Sequence, residues 1–391
     1  MPEPIVSREV SRGRPRAVAG FSVADGKIVE STCSRIPCAC AGSIPAGSRA
    51  VRAAYTGGPV RIFSGIQPTG RKHVGNYIGA MLGYLEGQER GTPAIYCIVD
   101  LHATSIAYDP KALPRYVLDT TAMLMAAGLD PERCILFRQS DLHEHSELCW
   151  LLSSVTAYGD LLRMHQFKEK SAREQELVRT SLFLYPVLQA ADILLYKTEE
   201  VPVGDDQRQH VELAREIARR FNSTYADVLV EPRHVIPDLG ARIMDLQDPG
   251  AKMSTSAGSE AGLIYIDDEP DAVIRKVKRA QTDSGTGVVR SPEKPGITNL
   301  IEMLAAARGV DPGEVESEFD GQGYGAFKEA VGEALVEFLT PVRERYREIR
   351  PDEAAIEATL AQGAERAREL AAPTMSEVRA AMGIGPVGSR L

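Results

Sequence analysis

Regular alternation of apolar and polar positions begins at Val60. Val60–Arg61–Ile62–Phe63 reads as a short apolar strand, stopped by the turn-rich run Ser64–Gly65–Ile66–Gln67–Pro68–Thr69–Gly70. A helical period follows from Gly75 to Glu89, and then a continuous apolar run from Ala94 to Val99, of the kind buried on both faces of a parallel sheet. That run ends in the polar Asp100–Leu101–His102. A helix over Leu113 to Ala127 and a strand over Cys134 to Phe137 complete a β-α-β-α-β alternation. Such alternation predicts a doubly wound parallel sheet, an α/β fold whose ligands collect at the carboxyl ends of the strands. From Ser259 onward the spacing is helical, with bundle-like apolar stripes over Ile297 to Ala307 and Gly332 to Tyr346. No internal repeat is evident.

Residues 1–58 differ from the rest. They mix Arg, Ser, Gly, Ala and Pro without a sustained period, and read as a disordered extension or as an early start. Acidic residues and the lack of an amphipathic helix argue against a targeting peptide. Cys33, Cys38 and Cys40 cluster there, but their spacing and the absence of a nearby histidine do not suit zinc. Length changes the picture further: 391 residues exceed one ordinary domain. The expected division is an extension at 1–58, a catalytic α/β domain at 59–258 with a helical insertion, and a helical domain at 259–391. Six irregularly placed cysteines read as reduced thiols of the cytoplasm. The net charge of -9 argues against a protein that coats DNA, and no apolar run suits a membrane span.

Two polar segments carry candidate chemistry. The first strand-to-helix turn, Gln67–Pro68–Thr69–Gly70–Arg71–Lys72–His73–Val74–Gly75–Asn76, puts a glycine-bearing turn before a helix start, where free N–H groups and the helix dipole favour phosphate. His73 and Asn76, three positions apart, can point at one ligand. The second is Lys252–Met253–Ser254–Thr255–Ser256, a donor-rich loop flanked by glycines. Read alone, each is also compatible with an ordinary cap or polar loop.

Together they resemble the HIGH and KMSKS signatures of class I aminoacyl-tRNA synthetases. Between them, Y-P-V-L-Q-A-A-D-I-L-L-Y (Tyr185 to Tyr196) and V-P-V-G-D-D-Q-R-Q-H (Val201 to His210) are similar to the tryptophanyl enzymes of bacterial type. So are I-F-S-G-I-Q-P at Ile62, C-I-V-D-L-H-A at Cys97, M-H-Q-F-K-E-K-S-A at Met164, T-D-S-G at Thr282 and G-Y-G-A-F-K at Gly323. The likeness runs from about residue 60 to the C-terminus. It implies a Rossmann-like catalytic domain, a C-terminal helical domain that reads the tRNA anticodon, and a homodimer. The implied reaction joins L-tryptophan to ATP and then to tRNA(Trp), with Mg²⁺ carried by the nucleotide and no metal held by the protein.

The resemblance also distributes roles. Gln67, Pro68, Thr69, Gly75, Asn76, Gly204, Asp205, Asp206, Ile243, Lys252, Met253, Ser254, Thr255 and Ser256 align with ATP contacts. His73, Asn76, Lys252, Ser254, Thr255 and Ser256 align with the catalytic signatures. Tyr185, Gln189, Gln207, His102, Phe63, Val201 and Val203 fall in the amino-acid pocket. Asp192 sits on a mostly apolar helix, where a buried carboxylate needs a partner: an Arg, a helix N-terminus or a ligand. The resemblance makes that partner the indole N–H. Two departures stand out: Gln189 replaces a common Met, and Thr255 replaces the second lysine of KMSKS. The departures admit an auxiliary duplicate of such an enzyme, resistant to an inhibitor or regulatory. The Tyr185–Gln189–Asp192 set also resembles tyrosyl enzymes, the nearest rival.

Overall fold

The computed structural model describes residues 60–164, 179–204, 207–235, 242–255 and 258–385, all within the compact unit Ile44–Leu391. The expectations placed on 1–58, on Asp205 and Asp206, and on Ser256 lie outside the described residues. Strand β1 (Val60–Ile66) is central, with β2 (Gly91–Ile98) on one side and β4 (Glu200–Pro202) on the other. Strands β3 (Ile135–Arg138) and β5 (Arg233–Val235) form the edges. All pairs are parallel, in the order β3-β2-β1-β4-β5. The chain moves outward from β1 to β3, then returns to place β4 beside β1. The winding therefore reverses between β1 and β4, and a crevice opens there at the carboxyl ends of the strands.

The sheet is buried on both faces, as its apolar strands require. Along β2, Ala94, Tyr96 and Ile98 point into one core while Ile95 and Cys97 point into the other. The first core is closed by α1 (residues 74–90), by α3 (Leu113–Ala127) and by the C-terminal helices α8 (Pro270–Lys278), α9 (Pro295–Arg308) and α11 (Gly323–Ile349). The second is closed by α4 (Glu144–Ser153), α6 (Thr180–Leu194) and α7 (Arg208–Thr224). Shorter helices α2 (Asp100–Ala103), α5 (Tyr158–Leu162) and α10 (Pro312–Glu318) lie between them in the chain. Helix α12 (Glu353–Met382) serves both: Ile356 and Leu360 join the first core, and Ala364, Ala367, Ala371, Met375 and Val378 the second. Between these sets stands Gly363, where a Cβ would overlap Leu136 O and lie 2.7 Å from its carbonyl carbon. Only glycine lets α12 pass this close to the edge strand. Arg366 fastens the crossing, donating to Pro131 O at 2.6 Å and Cys134 O at 2.9 Å. Helical residues beyond 258 thus share their cores with the sheet.

The helix expected over Gly75 to Glu89, α1, is composite. It opens as Val74–Asn76, passes through a π-helical turn at Tyr77–Met81 and continues as Leu82–Arg90. Helix α3 has the expected bounds, whereas β2 starts earlier than expected, at Gly91. Helix α8 carries Arg275, Lys276 and Lys278 in its last turn and ends at Lys278.

Candidate active site

The two signature segments are tied to one strip of backbone. Val74 N–H donates to Ile264 O at 2.8 Å, and Ile266 N–H donates to Lys72 O at 3.0 Å, so the first turn lies beside 264–266. The same strip reaches the second segment, because Leu246 N–H donates to Gly262 O at 2.9 Å. There Ile243–Asp245 pairs with Ala251–Met253, with Asp245 N–H to Ala251 O at 2.9 Å and Met253 N–H to Ile243 O at 3.0 Å. Asn299 of α9 clamps Met244 on both sides, accepting its N–H at 2.8 Å and donating to its carbonyl at 2.9 Å. Gly75 completes the join: a Cβ there would meet His73 Nδ1 at 3.0 Å and Ile243 Cβ at 3.4 Å. Segments nearly 180 residues apart in sequence therefore share one wall.

His73 caps α1. Its Nδ1 accepts Asn76 N–H at 3.3 Å, while Asn76 Oδ1 accepts His73 N–H at 3.1 Å, a reciprocal capping box. Burial, with Lys72 and Lys252 nearby, lowers the imidazole pKa to about 4, so the ring is neutral near pH 7. Because Nδ1 accepts, the proton resides on Nε2, which becomes a neutral donor. Lys72, which sequence reasoning passed over, is only 7% exposed. Its ammonium folds back on the turn, donating to Gln67 O at 2.9 Å and Thr69 O at 3.0 Å. Burial lowers its pKa to about 8. Gln67 and Thr69 are exposed at the rim and Pro68 is buried. Lys252 and Thr255 are exposed, Met253 and Ile243 are buried, and Gly204 is exposed just past the end of β4.

Asp192, on α6, is 1% exposed and lies at the centre of a polar cluster inside the second core. Its Oδ1 takes Gln139 Nε2 at 2.6 Å and His145 Nδ1 at 2.7 Å; its Oδ2 takes His102 Nε2 at 2.8 Å. Burial opposes its charge, but the His102 and His145 hydrogen bonds outweigh that and hold the carboxyl at about 2. A carboxylate offers roughly four acceptor positions, and the described residues fill three, leaving Oδ2 with capacity for one more donor. Of the partners expected for Asp192, neither an Arg nor a helix terminus is what the described residues supply. His102 belongs to this cluster, as a partner of Asp192. Gln139, His145 and Tyr196 were not foreseen; of these, Gln139 stands just past the end of β3, where ligands collect in such sheets.

The remaining pocket candidates lie around this centre. Tyr185 is buried, its hydroxyl 2.9 Å from His210 Nε2 and its ring edge-on to His102. Gln189 Nε2 donates to Gln207 Oε1 at 3.4 Å, so these two meet across α6 and the start of α7. Phe63 is buried and stacks on Tyr196, with ring centroids 5.7 Å apart. Val201 is buried and Val203 half-buried. Ser64 Oγ donates to Pro202 O at 3.2 Å, linking β1 to the end of β4.

A parallel sheet reversing at β1/β4, with both signature segments on one wall and a buried carboxylate elsewhere in the same unit, fits a nucleotide-dependent ligase. The family described as tRNA synthetases class I (W and Y) matches residues 55–340, and the chain belongs to it. It is 47% identical over 330 residues to tryptophan--tRNA ligase 1 of Streptomyces coelicolor, spanning 83% of this chain and 98% of that protein. The tryptophan--tRNA ligase of Mycobacterium leprae is 45% identical over 332 residues, spanning 83% of this chain and 97% of that protein. Among solved structures, the tryptophanyl-tRNA synthetase of Mycoplasma pneumoniae superposes with a TM-score of 0.77 at 34% identity, covering 84% of this chain and 98% of that one. The Campylobacter jejuni enzyme, complexed with ADP and tryptophan, gives 0.70 at 31% identity, covering 83% and 100%. Within its family the chain is thus of the bacterial tryptophan–tRNA ligase type.

Proposed function

We propose that this chain activates L-tryptophan with ATP and passes it to the 3′-terminal adenosine of tRNA(Trp) for protein synthesis. The observation that carries the amino-acid choice is Asp192, a buried, ionised carboxylate with three donors in place and acceptor capacity remaining on Oδ2. An indole N–H meets that capacity. A site built around such a bond rejects analogues lacking the donor far better than an apolar slot does. A phenol such as tyrosine's can also donate, so the tyrosyl alternative is opposed by the relatives' consistent tryptophan assignment rather than by Asp192 alone.

Activation needs no general base, because the tryptophan carboxylate is already ionised. One carboxylate oxygen attacks the α-phosphorus in line; the new O–P bond forms as the bond from the α-phosphorus to the bridging oxygen breaks and pyrophosphate leaves. Catalysis rests on positioning and on offsetting charge on the departing phosphates. His73 contributes a neutral Nε2–H, Lys252 an exposed cation, and Ser254 and Thr255 further donors, with Ser256 expected beside them. Gln67, Thr69, Gly75, Asn76, Gly204 and Ile243 shape the nucleotide side, with Asp205 and Asp206 expected at the ribose. Among the described residues no group of three His, Cys, Asp or Glu is placed to hold a metal. Mg²⁺ is expected to arrive as part of the MgATP substrate.

The partner reading extends to tRNA and a second copy. On α8 and at its C-cap, Arg275 and Arg279 are exposed, while Lys276 pairs with Asp268 and Lys278 with Glu329, which leaves the arginines as the phosphate-facing candidates. Trp150 on α4 and Tyr158 on α5 are 77% and 68% exposed, large apolar side chains of the kind that a homodimer would cover. The cytoplasm, where tRNA is charged, is the proposed location, and no described helix is long and apolar enough to cross a membrane.

The test is amino-acid-dependent ATP–pyrophosphate exchange across the twenty amino acids with Mg²⁺. Exchange with tryptophan alone is expected. Exchange with tyrosine, or with no amino acid, overturns the reading.

A further inference from the structure

Behind Asp192 the second core holds two groups that the reaction itself does not use. His145 and Tyr196 are both 0% exposed. An ionised carboxylate only accepts hydrogen bonds, so the ring nitrogen of His145 that faces it carries a proton. With Nδ1–H directed at Asp192 Oδ1, 2.7 Å away, the Nε2 of a neutral ring is an acceptor, and the Tyr196 hydroxyl stands 2.9 Å from it. Burial pushes the Tyr196 phenol well above its ordinary range, so it remains a donor. The ring planes are fixed by packing: Phe137 stacks on His145 with centroids 5.8 Å apart, and Phe63 stacks on Tyr196 at 5.7 Å.

We propose that Tyr196 and His145 form a directional hydrogen-bond chain that positions Asp192 and thereby sets discrimination for an indole N–H. The chain runs from Tyr196 O–H to His145 Nε2, and from His145 Nδ1–H to Asp192 Oδ1. Gln139 supplies the second donor to Oδ1, its own orientation fixed by Leu101 N–H at 3.2 Å from Oε1. Two donors saturate Oδ1, and the rotation of the carboxylate is set. The acceptor capacity then falls on Oδ2, beside His102. Asp192 selects the His145 tautomer and Tyr196 completes it: without the hydroxyl the Nε2 lone pair is left buried and unpaired, and the ring loses the contact that holds Nδ1–H on Oδ1. Both are positioning residues, since neither touches substrate. The inference rests on the reading of Asp192 as the indole acceptor.

The experiment compares kcat/KM for tryptophan with that for the analogue whose indole nitrogen is replaced by sulfur, in full-length enzyme. Wild type is expected to favour tryptophan by roughly 10⁴-fold, as for sites built around a substrate hydrogen bond. His145→Leu is expected to shrink that ratio by about 10-fold or more, the scale of one hydrogen bond to a charged group, with KM for ATP unmoved. In His145→Asn the amide nitrogen stands where Nδ1 stood, and the ratio is expected to return to within about 3-fold of wild type. Tyr196→Phe, close to isosteric and so the variant least exposed to folding failure, is expected to lower the ratio by about 3- to 10-fold. A merely structural role would slow both substrates equally; an unchanged ratio in both His145→Leu and Tyr196→Phe overturns the proposal. Asp192→Asn is the control: if it too leaves the ratio unchanged, the reading of Asp192 has failed rather than the chain behind it.

Discussion

Replacing Lys72 by methionine isolates a buried charge in the nucleotide turn. The side chain is 7% exposed and its ammonium is held by two backbone carbonyls, with no carboxylate among the described residues hydrogen-bonded to it. Burial moves its pKa from the ordinary 10.5 to about 8. At 1.36 kcal/mol per pH unit, that difference amounts to about 3 kcal/mol. Its sign follows from proton counting. Between about pH 8 and pH 10.5 the unfolded chain holds the proton more tightly, so the folded enzyme gains stability as pH rises. The contribution is complete above 10.5 and lost as pH falls through about 8. Methionine fills similar space and titrates nowhere. Urea unfolding of both proteins at about pH 7 and about pH 10.5 should therefore give a wild-type-minus-variant difference that moves by about 3 kcal/mol in favour of wild type. Taking the difference cancels every other titrating group. Activity should move the other way, with KM for ATP higher in Lys72→Met because the Gln67 and Thr69 carbonyls lose their donor. A stability difference that is the same at both pH values would refute this reasoning, since it would mean that the ammonium is solvated.

Three further outcomes are expected. Thr255→Lys restores a charge to an exposed loop position and should raise the single-turnover activation rate by about 10-fold or more, with tryptophan KM unchanged; an unchanged rate would mean that another cation already serves. Gly363→Ala should cost about 2 kcal/mol or more in the urea midpoint despite alanine's better helix propensity, because its Cβ meets the Leu136 backbone; a stabilised variant would show that α12 can lift off β3. His73, with its pKa held at about 4, contributes stability that is present above the ordinary 6.5 and lost as pH falls through about 4. The activation rate should accordingly show no His73 inflection near neutrality, and a limb near pH 6.5 that vanishes in His73→Gln would contradict the neutral-donor assignment.

The sheet was legible because its strands are buried on both sides. An unbroken apolar run as short as Ala94 to Val99 suits a strand covered on both faces, and its polar sequel Asp100–Leu101–His102 marks a carboxyl end correctly. The two signature segments were legible as types of residue in a spacing, although nothing local says that 264–266 binds them together. The π-helical turn at Tyr77–Met81 carries no propensity signal; it lies beneath α11, where Tyr77 packs against Phe338 at 5.1 Å. The setting of Asp192 was half legible. A lone carboxylate on an apolar helix demands a partner, but Gln139 and His145 stand 53 and 47 positions away in sequence. A pairing of that range is decided by strand order and helix docking, which periodicity does not encode. Lys72 was overlooked for a related reason: a lysine in a turn reads as solvated until its two carbonyl partners are seen.

The crossing of α12 over β3 also orders events in time. Arg366 and the Cys134 carbonyl it grips are 232 residues apart. At ribosomal elongation rates of about 5–20 residues per second, roughly 10 to 50 s separate the emergence of β3 from that of the helix that covers it. Throughout that interval a parallel sheet with an open edge must wait on the translating ribosome, the situation in which strand edges find wrong partners. The nascent chain is therefore a natural client for chaperones that shield strand edges. A slower message does not relieve the exposure; it lengthens it.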